Sequence, residues 1–438
     1  MFEISKKTII SGAIGNTLEV YDYMIWSFFS VYLAKEFLPP QSKLSDIFFL
    51  FFLTYILRPI GGLLAGILAD QIGRKKILTL SIFLMGFCTT IVGILPSYEK
   101  IGIISVLLLL FIRFFQVFAV SSEYISSISL LIESCKKEQR GYFGSWAAFG
   151  INFGMLISSV IGAILLYLID IKILPAWGWR FAFLLAFFTT IIGFWIRRSI
   201  PESFEFIREN ARREQRDFFS IFRETIFTIK GRIFESFLIF VLVCFGVSTT
   251  VLIFVFAPIY MSTFTQINNT QSFIINSSGL FSVVILIPFF GYISDFIGRT
   301  KLIACGITAL LLLILPYFEL LSTGNFGGIL LAHIIIGIPC ASIFAVIPVF
   351  ITEIFPISIR CSTTNLLYSI ASCLGGGVTP LLAFKLSNYG HYNFLPGLIL
   401  VVLGITSLVL LSKFKKIIKR SRGSLNLVYP VKMESSSF

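Results

Sequence analysis

Five ionisable side chains stand inside otherwise apolar runs: Glu19 and Asp22 in the first run, Arg58 in the second, Arg113 and Glu123 in the fourth. A charge at the centre of a bilayer costs about 3 kcal/mol or more, so each is a functional candidate by default. At 1.5 Å per helical residue, Glu19 lies ~15 Å beyond Ile9 and Arg58 ~18 Å before Asp70, near the midplane of a core ~30 Å thick. A carboxylate withdrawn from water can bind and release a proton near neutral pH, which makes Asp22 first, then Glu19 and Glu123, the proton-coupling candidates. Arg58 and Arg113 are fixed cations whose planar fork suits a solute carboxylate; with Gln116, Asn16, Tyr23 and Trp26 they form the substrate-binding candidates. Gly15, Glu19, Asp22 and Trp26 share one helical stripe, and Arg113, Gln116, Val120 and Glu123 share another that can face it. The competing reading is a permanent ion pair of these acids with Arg58 or Arg113 that holds helices together. In a coupled scheme, protonating an acid frees its arginine partner for an anionic solute.

A second group of residues is duplicated. Gly66-Ile-Leu-Ala-Asp70-Gln-Ile-Gly73-Arg74 recurs as Gly291-Tyr-Ile-Ser-Asp295-Phe-Ile-Gly298-Arg299, and Glu133 with Arg140 recurs as Glu353 with Arg360. Both offsets are about half the 438-residue length. The motif carboxylates can face the positive N-terminal end of a neighbouring helix, and the arginines can pair with acids across a shared mouth. The glycines permit a tight turn and close helix approach. These twelve residues are the gating candidates, and the duplication favours that role over a sharp turn with nothing more to do. Two six-helix halves with a site between them suit a rocking carrier.

The elements that must position these residues are helices. The chain is 56% hydrophobic and 13% charged, with 49 phenylalanines, which excludes a soluble globular protein. Apolar runs fall near 9–33, 47–69, 76–95, 103–132, 142–168 and 179–196, then 234–261, 271–294, 302–320, 327–355, 363–386 and 394–414. They are too long for barrel strands. The expected fold is an all-α membrane protein with twelve transmembrane helices in two pseudo-symmetric six-helix bundles. It is organised as an N-terminal bundle (1–196), a central loop (197–233), a C-terminal bundle (234–414) and a basic tail (415–438). Only Lys35, Lys43, Lys100 and Lys172 lie on one set of loops, against 27 of the 35 lysines and arginines on the other. That bias predicts both termini in the cytoplasm. The net charge of +13 is then a topology signal, with nucleic-acid binding left unsupported. In the central loop, Phe204, Ile207 and Ala211 share a face and Phe218, Phe219, Ile221 and Phe222 cluster, which predicts surface helices under the bundle.

The duplicated loop resembles the signature of the major facilitator superfamily. Further stretches resemble its metabolite:proton symporter branch of proline/betaine, α-ketoglutarate, citrate and shikimate carriers. They are Gly15-Asn16-Thr-Leu-Glu19-Val-Tyr21-Asp22-Tyr23, Arg58-Pro59-Ile-Gly61, Arg113-Phe-Phe-Gln116 with Glu123, Trp177-Gly178-Trp179-Arg180 and Arg197-Arg198 with Glu202. The chain departs from the branch at Val20, Val117, Ser121, Ser122, Ser203 and Phe204. The resemblance implies a multi-pass protein of the bacterial inner membrane, working as a monomer. Its partners would be the lipid bilayer, a small organic solute and a proton as coupling ion, with no cofactor and no metal. The implied function is proton-coupled symport of a small carboxylate-bearing metabolite, either a proline/betaine-type zwitterion or an organic acid. A drug:proton antiporter of the same fold is the alternative, although the usual Gly-Pro motif of its fifth span is missing after Gly154. A non-transporting receptor would need a larger soluble domain, and no catalytic motif marks an enzyme. His333, with no acidic neighbour on its face, reads as structural. Tyr21, Tyr23, Trp26, Tyr124 and Trp146 suit a cage for a quaternary ammonium, but core packing is the stronger reading in so aromatic a chain.

Overall fold

The computed structural model describes residues 6–42, 55–198, 202, 206–208, 217–388 and 393–428. Among them there is no strand. Ten helices are long and apolar enough to cross a bilayer: α3 (Arg74–Ile94), α4 (Ile103–Glu133), α5 (Lys137–Asp170), α6 (Ala176–Arg198), α7 (Ile233–Phe264), α8 (Asn269–Ile297), α9 (Arg299–Ser322), α10 (Phe326–Glu353), α11 (Ile357–Ser387) and α12 (Leu395–Lys415). The remaining two of the twelve are α1 (Lys6–Phe28), which carries Glu19 and Asp22, and α2 (Arg58–Ile72). The start of the second apolar run lies outside the described residues. The fold is the expected all-α architecture, and many phenylalanines, Phe83, Phe87, Phe111 and Phe188 among them, point outward where lipid tails would meet them.

Two helix pairs make most of the contact between the halves, α5 with α8 and α2 with α11. Small residues let them approach. A Cβ on Gly66 would lie 2.8 Å from the Cα of Ser362, and one on Gly291 would lie 2.9 Å from the carbonyl oxygen of Gly141. The helices α7 and α11 each contain a widened π-helical turn, Val251–Phe256 and Cys373–Val378. Each widened turn runs directly into a proline, Pro258 or Pro380, whose missing N–H forbids the normal ladder. Near the second of these, Gly375 packs on the carbonyl of Cys244, and Gly376 packs on the ring of Tyr55.

Between the halves, the helix Phe218–Gly231 is capped by the Asp217 carboxylate, which accepts from the N–H of Ser220 at 3.3 Å. Its Ile221 is buried against Ile67 of α2 and Ile359 of α11, while Phe219 and Phe227 stay exposed. Phe204 and Ala211 lie outside the described residues. Upstream, Glu202 accepts from the N–H of Lys75 at 3.1 Å, and the Phe206 ring lies 4.4 Å from the Arg74 guanidinium.

Candidate functional site

The duplicated residues meet at one end of the bundle. Gly73 (φ 108°) and Gly298 (φ 94°) reverse the chain between α2 and α3 and between α8 and α9, in a region that only glycine enters without strain. This brings Asp70 to the first turn of α11. Its carboxylate accepts from the Ser362 N–H (2.7 Å), the Ser362 hydroxyl (2.5 Å) and the Cys361 N–H (3.4 Å). Asp295 does the same at the first turn of α5, accepting from the Gly141 N–H at 2.8 Å and the Tyr142 N–H at 2.9 Å. Each carboxylate therefore satisfies orphan donors and meets the positive end of a helix from the opposite half.

Arginines tie the same end. Arg74 lies 3.2 Å from Asp70 and 3.4 Å from Glu133, and donates to the carbonyl of Ile357 at 3.1 Å. Arg360 reaches Glu133 from the other half at 2.9 Å. Arg299 lies 3.5 Å from Asp295 and 3.1 Å from Glu353. Arg140 donates to the Ile132 carbonyl at 3.1 Å. All twelve duplicated positions thus converge on this one mouth, which is shut by contacts between the halves.

Deeper in, a cavity of about 140 Å³ lies between the halves. That is the scale of a cavity known to hold benzene (~150 Å³), so it suits a small solute. Its first-half wall carries Glu19, Tyr23, Arg58, Glu123, Tyr124 and Asn152. The second half contributes Val243, Val247, Phe344, Ile347 and Tyr368, which are apolar or aromatic. Arg58 has no carboxylate within 4 Å among the described residues; its guanidinium carbon faces the rings of Tyr55 at 5.1 Å and Tyr23 at 6.0 Å. Such faces attract a cation without neutralising it.

Other candidates sit behind this wall. Arg113 is fully buried, 4.4 Å from the Tyr23 ring and 4.5 Å from the Trp26 ring. It donates to Gln116 at 3.1 Å, and Gln116 donates onward to Thr89 at 2.8 Å. The Tyr23 ring is thus a neighbour of both arginines. Asp22 turns away from the cavity toward α3 and α6, where one oxygen accepts from the Thr189 hydroxyl at 3.1 Å and the other, also buried, accepts nothing among the described residues. Asn16 bridges helices, donating to the Ala147 carbonyl at 3.1 Å and accepting from Arg197 at 3.1 Å. Of the aromatic cage residues, Tyr21 donates to the Ala182 carbonyl, and Tyr23 and Trp26 already cover a guanidinium.

The expected partners of the acids are corrected here. Neither Arg58 nor Arg113 pairs with Asp22, Glu19 or Glu123; the cation that binds Glu123 is Arg197, both side chains being buried. Arg197 ends an apolar run, which by charge alone assigns it to the central loop, yet Ala186, Thr190, Gly193 and Arg197 share a buried stripe at 4, 3 and 4 spacing. That stripe of small residues leading to a charge is the signal in the sequence that marks it as interior. Ser81 of α3 was missed as well. Its hydroxyl lies 2.8 Å from Glu123 and 3.5 Å from Glu19. His333 is buried with its Nδ1 2.8 Å from the Tyr317 hydroxyl, outside the cavity.

Comparison with known proteins places this arrangement. The profile described as the Major Facilitator Superfamily matches residues 13–275 and 237–426. The glycine betaine/proline/ectoine/pipecolic acid transporter OusA of Dickeya dadantii is 28% identical over 416 residues, covering 92% of this chain and 82% of that protein. The proline/betaine transporter of Escherichia coli is 28% identical over 423 residues, with the same coverage of 92% and 82%. In structure, the proton:xylose symporter XylE superposes with a TM-score of 0.73 at 17% identity, covering 93% of this chain and 95% of that one. The latter likeness is one of fold. The chain belongs to the major facilitator superfamily.

Proposed function

We propose that this chain is a proton-coupled symporter of a small zwitterion of the proline or betaine type, working by alternating access with both termini in the cytoplasm. The observation that carries the reading is the central cavity with one un-neutralised guanidinium, Arg58, and one carboxyl, Glu19, on the same wall. Arg58 receives the solute carboxylate through its planar fork. The cationic end of a zwitterion then meets Glu19 and the rings of Tyr124 and Tyr368, which pack edge-on at 5.4 Å. A dicarboxylate would need a second cation. Arg113 is screened from the cavity by Tyr23, so a single-carboxylate solute fits better.

Transport follows from the two sets of contacts. The shut mouth at Asp70, Glu133 and Asp295 opens only when its cross-half hydrogen bonds break, and binding at Arg58 shifts the balance between closed and open forms. The acids Glu19, Glu123 and Asp22 supply the proton-binding groups. The relatives named for proline and betaine transport support the solute class. The test is uptake of labelled proline, glycine betaine and α-ketoglutarate into proteoliposomes, with and without an imposed pH gradient. Gradient-driven accumulation of proline or betaine is expected, and Arg58→Gln removes it. Accumulation of α-ketoglutarate alone, or accumulation that ignores the gradient, overturns the reading.

A further inference from the structure

We propose that the coupled proton is held jointly by Glu19 and Glu123 as a single shared hydrogen, and that Arg197 is the positioning residue that keeps the pair in register. This rests on the symport reading above and specifies where its proton sits.

Geometry carries the assignment. Glu19 of α1 and Glu123 of α4 both turn to the cavity wall, and the one hydroxyl of Ser81 lies within 2.8 Å of an oxygen of Glu123 and 3.5 Å of an oxygen of Glu19. One hydroxyl thus touches both carboxyl groups, which places them side by side. A hydroxyl has one hydrogen, so it cannot serve both oxygens at once. The second Glu19 oxygen is buried and accepts no hydrogen bond among the described residues. Two ionised carboxylates this close, out of water, repel; sharing one proton removes the repulsion and leaves one negative charge for one guanidinium.

The charges around the pair fit that count. On α1 the other acid is Asp22, on α3 the neighbour is the neutral Ser81, on α6 it is Arg197, and on α2 it is Arg58 across the cavity wall; the tyrosines Tyr23, Tyr55, Tyr124 and Tyr368 also line the cavity. The α5 residues on this wall are Ile151, Asn152 and Met155, which carry no charge. Arg197 is held by α1 and α4 together. It binds Glu123, donates to the Asn16 side chain at 3.1 Å, and lies in the space over Gly15 that any Cβ would fill. One guanidinium nitrogen, Nη2, makes both hydrogen bonds and so ties the Glu123 carboxyl to the Asn16 side chain. The cavity gives the shared proton a path to whichever side is open. Loss of the proton leaves a second negative charge on the wall that carries the solute site, so proton and solute occupancy are linked.

The experiment uses the purified full chain in proteoliposomes with labelled glycine betaine or proline, whichever the unmodified protein accumulates. Two readouts are taken: accumulation driven by a pH gradient, and counterflow at equal pH on both sides, which needs no net proton movement. Glu19→Gln and Glu123→Gln are each expected to reduce gradient-driven accumulation to the level seen without a gradient, while counterflow remains measurable and loses its dependence on pH. Arg197→Gln is expected to lose accumulation, and Arg197→Lys, which keeps the cation, to recover it in part. Gradient-driven accumulation that survives in both glutamine variants overturns the shared-proton assignment. So does its loss only in Asp22→Asn, or accumulation driven by a sodium gradient in place of a proton gradient. If Arg197→Lys is as inactive as Arg197→Gln, with counterflow gone in both, the residue is merely structural and the positioning role fails. Failure of the unmodified protein to respond to any proton gradient is a different result, and it overturns the symport reading itself.

Discussion

The two copies of the duplicated loop carry nearly the same residues but not the same weight. Around the first, Asp70, Arg74, Glu133 and Arg360 are all buried, and Glu133 serves one arginine from each half. Around the second, the side chains of Arg299 and Glu353 are 19% and 23% exposed, and their ion pair stays within the second half. The Asp295 carboxylate crosses to the other half. The cause is what lies over each loop. Glu202 and Phe206 cover Gly73 and Arg74, and the helix Phe218–Gly231 packs beside them, whereas a Cβ on Gly298 would meet nothing within 4 Å among the described residues. A central segment that exists once, between the halves, can bury only one of two equivalent gates. A repeat in sequence therefore fixes geometry, while dielectric and strength follow from the surroundings.

Breaking the buried gate is expected to have the largest effect. Glu133→Gln leaves Arg74 and Arg360 without their shared carboxylate inside the protein, a loss of about 3–5 kcal/mol. Melting of the purified protein in detergent measures it, and cysteine-accessibility labelling at Asn152→Cys should show the mouth shifted toward open. Next comes Asp70→Asn, which weakens charge-assisted bonds to three donors of α11 and costs about 2 kcal/mol. Asp295→Asn, with two donors and partial exposure, should cost less in the same assay. Equal effects of the two substitutions would remove the asymmetry argued here.

Much of this was legible in the residues alone. The twelve runs, the half-length repeat and the acids in the first and fourth runs follow from hydropathy and spacing, because lipid forces helices and punishes every buried charge. Pairing was not legible. Spacing puts Glu19 and Asp22 on one stripe, but a helix packed on both sides sends them to different neighbours, Glu19 to the cavity and Asp22 to Thr189. Positive-inside counting treats a cation at the end of a run as a loop residue, which hid Arg197 in its buried seat beside Glu123. Arg113 taught the converse: its neighbours in space are rings, and aromatic residues were too numerous in the sequence to single out Tyr23 and Trp26 as its cover.

Smaller substitutions sharpen the comparison. Ser362→Ala deletes one hydroxyl from the Asp70 cluster while both backbone donors remain, so about 1 kcal/mol is expected in the melting assay. No counterpart exists at the second gate, where Tyr142 takes the equivalent place and offers only its N–H to Asp295. The smallest effect belongs to Glu353→Gln. Its pairing with Arg299 at 3.1 Å is partly exposed and joins α9 to α10 within one half. A loss below about 1 kcal/mol is expected, and one that shrinks as salt rises, since water and ions screen such a pair. The same salt series should leave the Glu133→Gln deficit unchanged, because Arg74 and Glu133 are sealed from solvent. A Glu353→Gln deficit as large and as salt-independent as that of Glu133→Gln would mean that burial does not set the strength of the two gates.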